Sequence, residues 1–68
     1  MITDDKDFET TLDRIRRFQM QLAHLRRVET IPANYRLSSS GFLAEIDRMQ
    51  LEVREYLSRL PAELAAAG

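Results

Sequence analysis

One histidine, a group of carboxylates and a run of arginines are the residues here whose types could do chemistry, and their spacing argues against most of it. His24 is the sole histidine. Positions three and four away from it, Met20, Gln21, Arg27 and Val28, hold no acid that would orient an imidazole as a general base or join it around a metal. It reads as a surface or boundary residue near a helix end. Glu45, Asp47, Glu52 and Glu55 gather on one segment, but the Glu-x-x-His pair of metal sites in helical bundles is missing. Arg48, Arg54 and Arg59 are interleaved with these acids as natural ion-pair partners, so a solvated salt-bridge face is expected. With no cysteine, thiolate zinc sites and disulfides are excluded. The two glycines, Gly41 and Gly68, cannot build a phosphate loop or a nucleophile elbow. The expectation is a non-enzymatic protein with no catalytic residue, no metal and no cofactor.

The arginines suggest a second chemistry. Nine of the ten basic residues are arginine, and Arg14, Arg16, Arg17, Arg26 and Arg27 lie within one stretch where they could meet phosphates. A formal net charge of −1 is unlike that of a small nucleic-acid binder, and Asp13 lies within helical reach of Arg16 and Arg17. Arginines also anchor protein interfaces. Nucleic-acid contact through these five residues therefore stands second to protein binding.

The elements that would position these residues are helices. Phe8, Leu12, Ile15, Phe18, Leu22 and Leu25 recur at steps of three and four, as one helical face requires. Acids at Asp4, Asp5, Asp7 and Glu9 and bases at Arg26 and Arg27 complement the dipole of a helix over about residues 4–28. Pro32 biases Ile31 toward an extended conformation, predicting a connection over about residues 29–38. There Ile31, Tyr35 and Leu37 would pack over the end of the hairpin, and Ser38, Ser39 and Ser40 offer caps for the next helix. The second helix, about residues 39–60, carries Phe42, Ile46, Met49, Val53, Tyr56 and Leu60 in unbroken steps of four and three, a coiled-coil seam. Pro61 ends it or begins a short extra turn through Glu63 and Leu64, and residues 61–68 are expected to form a frayed tail.

Two helices of matched length joined by a short connection predict an all-α antiparallel hairpin occupying the whole chain as one domain. At 68 residues and without disulfides the chain is too small for one core to be comfortably sufficient, so self-association, most simply a homodimeric four-helix bundle, is expected. Large apolar residues off the narrow seam would form the contact surface: Leu12, Met20, Leu43, Leu51 and Leu57. Acidic Asp4, Asp5 and Asp7 stand where a signal peptide needs a basic start and an apolar run, and no run approaches membrane-spanning length. A cytoplasmic protein without a membrane partner is the expectation.

The Met1-Ile2 opening, Phe8, Thr11, Phe18, Leu22 and Leu25, followed by Glu52, Tyr56 and Leu57, resemble the N-terminal helical segment ahead of the helix-turn-helix domain in bacterial antitoxins and regulators of the HigA/XRE type. The resemblance spans most of the chain and rests on packing residues. It implies a bacterial, cytoplasmic hairpin that dimerises or contacts a toxin-like or regulatory partner. DNA reading belongs to that family's separate helix-turn-helix domain, for which this chain has no room, so it does not carry over.

Overall fold

A computed structural model describes residues 1–60. Two helices, α1 (Asp5–Val28) and α2 (Pro32–Leu57), pack side by side as an all-α hairpin.

Local chemistry accounts for both ends of α1. Asp4 is extended and its Oδ1 accepts from the Asp7 N–H at 2.7 Å, capping one of the free donors of the first turn. The Asp7 carboxylate in turn accepts from the Thr3 hydroxyl at 2.8 Å, tying the preceding segment to the helix. Arg26 and Arg27 occupy the last turn, where positive charge meets the free carbonyls.

The connection is shorter than the sequence pattern predicts, comprising only Glu29, Thr30 and Ile31. Ile31 is extended as the following proline demands. Pro32, however, opens α2 instead of standing in a loop. The first helical position has no intrahelical use for an N–H and suits proline's fixed φ, so one residue ends α1's neighbourhood and starts α2. Ile31 offers no side-chain cap, while the Glu29 carboxylate accepts its N–H at 3.0 Å and stiffens the turn.

This early start corrects the expected roles of residues 33–40. The three serines lie inside α2, and two turn their hydroxyls back onto the preceding turn, Ser39 to the Arg36 carbonyl at 3.4 Å and Ser40 to that of Leu37 at 2.9 Å. Ser39 is buried, a small residue at a seam position, and Tyr35 extends the same seam one step further. Leu37 points away from the hairpin, 79% exposed, and covers nothing. At its other end α2 stops at Leu57, so Leu60 lies beyond the helix, and the tail expected over residues 61–68 falls outside the described residues.

The core is a single seam. Ile15 and Leu22 of α1 meet Ile46 and Met49 of α2, with Phe18, Leu25, Phe42 and Val53 packed against them. Two aromatic rungs fix the antiparallel register: Phe8 stacks on Tyr56 with centroids 5.4 Å apart, and Phe18 meets Phe42 edge-on at 5.6 Å. Beyond the first rung, the Tyr56 hydroxyl donates to Asp5 Oδ1 at 2.5 Å and closes the open end of the hairpin. This carboxylate hydrogen bond, followed by partial burial and the negative charge of Asp5, pushes the Tyr56 phenol up to about 12.

Two contrasting substitutions test the seam. Ile46→Asp puts an unpaired charge among buried side chains and abolishes helicity, whereas Gly41→Ala, whose added Cβ meets no atom within 4 Å, raises stability by about 0.5–1 kcal/mol, both read by circular dichroism during urea unfolding. The Tyr56 clamp makes a pH prediction. Because its folded pKa is raised, its contribution is complete below about pH 10 and is lost as pH rises through about 12. Stability measured across that alkaline window falls in the parent, and in Tyr56→Phe this component of the fall is absent.

Candidate interaction surface

With the seam set by Phe8, Thr11, Ile15, Phe18 and Leu22 on α1 and Ser39, Phe42, Ile46, Met49, Val53 and Tyr56 on α2, every other position has a defined direction. Thr11 rather than Leu12 is the inward residue. Its hydroxyl donates to the Asp7 carbonyl at 2.8 Å, and the residue is half-buried where Leu12 is exposed.

The hairpin has two unlike edges. Residues immediately before Phe8, Ile15, Ile46 and Val53 form the first: Asp7 and Arg14 on α1, Glu45 and Glu52 on α2. Arg48 joins this edge by bridging Glu45 at 2.6 Å and Glu52 at 2.8 Å, and the N-terminal ammonium approaches Glu52 at 3.9 Å. The hydrogen bond from Arg48 and its charge, helped by Arg14 across the seam, hold the Glu45 carboxyl below its ordinary range. Two of the four clustered carboxylates are thus arginine partners in an exposed network. Among the described residues no group of histidines and acids could hold a metal ion, and His24 is exposed.

Residues immediately after Thr11, Phe18, Phe42, Met49 and Tyr56 form the opposite edge: Leu12 and Gln19 on α1, Leu43, Gln50 and Leu57 on α2. No charge falls on this stretch. Leu51 adjoins it on the outer face of α2, and Leu37 and Ala44 continue that outer row at steps of seven. Four of the five leucine and methionine residues expected to form a contact surface, Leu12, Leu43, Leu51 and Leu57, therefore lie on adjoining faces. Met20 does not join them, because it sits opposite the seam on α1 and so on the far side of the hairpin. All five are 41–64% exposed. Leu37 belongs with the first four, and sequence reading missed it because it was assigned to the connection; its seven-residue spacing from Ala44 and Leu51 was the available signal.

The five arginines fall into two groups. Arg14 turns toward the charged edge and Glu45, and Arg26 lies at the turn end of the apolar edge. Arg16, Arg17 and Arg27 share the outer face of α1 with Met20 and His24, and none of them has an ion pair among the described residues. Also among the described residues, no helix is long and apolar enough to cross a membrane.

Comparison of the chain with protein-family models, with curated proteins and with solved structures finds no match in any of the three.

Proposed function

We propose that this hairpin is a protein-interaction module that catalyses no reaction and pairs with a second copy of itself as a four-helix bundle. One observation carries the reading: the edge formed by Leu12, Leu43 and Leu57 is uncharged and open, next to a core one seam thick. The Cα radius of gyration, 15.5 Å, exceeds the roughly 11 Å of a compact domain of this length, as befits a rod two helices wide. A leucine moved from water into an interface contributes about 1.5–3 kcal/mol, so a few of them supply what the thin core lacks. The residues shared with HigA/XRE-type segments fit a cytoplasmic, antitoxin-like or regulatory setting, in which a toxin-like protein would be the further partner.

Molecular mass by sedimentation, with melting temperature across a dilution series, tests the proposal. The expected result is a dimer at micromolar concentration whose melting temperature falls on dilution, and Leu51→Glu weakens association more than it weakens the isolated hairpin. A stable 7.9 kDa monomer that melts at one temperature throughout overturns it.

A second reading is favoured by the basic outer face of α1, where no acid occurs between Asp13 and Glu29 and Arg16, Arg17 and Arg27 stand exposed. That strip fits an anionic partner such as duplex nucleic acid. Fluorescence anisotropy with a labelled duplex decides it: a phosphate-binding strip gives affinity that falls steeply from low to physiological salt, and a pure protein-binding hairpin gives none at moderate salt.

A further inference from the structure

On its open side α2 carries a pattern that complements itself when reversed. Leu43 and Leu57 stand two seven-residue repeats apart on the uncharged edge, and between them Asp47 and Arg54 stand one repeat apart on the neighbouring row. Gln50 is the midpoint of the leucine pair, and the midpoint of the charged pair falls between Gln50 and Leu51. Neither Asp47 nor Arg54 has an ion pair among the described residues. Nor does either have a charged residue three or four positions away, since those places hold Leu43, Ala44, Gln50, Leu51, Leu57 and Ser58. Of the other charged residues between Leu43 and Leu57, Glu45, Arg48 and Glu52 belong to the network on the opposite edge.

We infer that two copies associate through an antiparallel contact between their α2 helices, related by a twofold axis at Gln50 and Leu51. This geometry rests on the self-association proposed above and specifies its face and register. About that axis Leu43 meets Leu57 of the second copy, and Asp47 meets Arg54 of the second copy, each contact occurring twice, as an isologous interface requires. The charges that have no partner within the hairpin find one across the axis. Between the Phe8–Tyr56 and Phe18–Phe42 rungs, Leu12 lies level with Gln50, so the axis also brings the Leu12 side chains of the two α1 helices toward each other. The occupant is a second copy rather than a foreign helix because, to within one residue of register, the pattern matches its own reverse in charge as well as in apolar spacing. The leucine and charge registers differ by one residue, about 1.5 Å of helix rise, which the long Arg54 side chain spans. A slip of three or four residues would set Asp47 and Arg54 off their partners, so the charges also fix the register.

Charge reversal separates this geometry from self-association in general. Asp47→Arg places arginine against arginine twice, and Arg54→Asp places acid against acid twice. Each single variant is expected to lose tenfold or more in dimer affinity while keeping its helicity, with part of the loss recovered in 1 M salt. Mixing the two single variants restores both contacts, so native mass spectrometry shows the heterodimer and little of either homodimer. The double reversal, Asp47→Arg with Arg54→Asp, regains the parent's affinity, and Met20→Glu on the far face leaves it unchanged. If the parent dimerises but the single variants dimerise equally well, or their mixture gives only the statistical share of heterodimer, this register is wrong while the interaction reading stands. A monomeric parent overturns both. Should a single variant lose its helicity, the double reversal alone decides, since a failure to regain both helicity and dimer affinity refutes the register.

Discussion

Each helix of this chain has one continuous stripe of large apolar residues, and two such stripes can cover only each other. Everything else follows from that one-seam constraint. Ile15, Leu22, Ile46 and Met49 reach burial because they sit on the centre line between the helices, and their neighbours Phe18, Leu25, Phe42 and Val53 are left half-covered. Among the described residues no large side chain is fully enclosed. Dispersion and hydrophobic gains scale with the area covered on all sides, so a seam of this kind contributes less per residue than the interior of a thicker domain.

The devices at the two ends of the hairpin answer this thin core. At the turn, Pro32 restricts the backbone and the Glu29 carboxylate holds the Ile31 N–H, which lowers the freedom of the connecting residues. At the open end, aromatic stacking of Phe8 on Tyr56 and the hydrogen bond from Tyr56 to Asp5 join residues far apart in the chain. These contacts lie at the margins, where water competes, and they hold the register more than they deepen the core. Buried Ser39 shows how little bulk the seam needs near the turn, where the helices converge on a short connection.

Function follows from what the seam leaves over. One edge spends its charges internally, through Arg48 between Glu45 and Glu52, and is a solvated surface. Along its middle the other edge has no charges to spend and presents leucines. An interface needs an apolar centre with polar groups that can be paired at its rim, and only this second edge, with Asp47 and Arg54 beside it, offers both. The basic outer face of α1 is a separate surface, so a hairpin paired through α2 would keep Arg16, Arg17 and Arg27 available to another, anionic partner.

The seam itself was legible in the amino-acid sequence because helical periodicity is local: steps of three and four place Phe8 through Leu25 and Phe42 through Tyr56 on single faces whatever lies opposite them. The same locality made the start of α1 readable from its acids and the all-α class readable from both stripes. The connection was not legible, since Pro32 followed by polar residues is compatible with a loop and with a first helical turn, and only the packing of Tyr35 and Ser39 against α1 settles which. Leu37 was misplaced with it. The division between contact and solvent around the helices also waited for the tertiary structure. Leu12, Leu43 and Leu57 share an edge, and Met20 stands apart, because of the direction and register in which α1 meets α2. Those are set by non-local contacts such as the Phe18–Phe42 and Phe8–Tyr56 rungs, which no local pattern encodes.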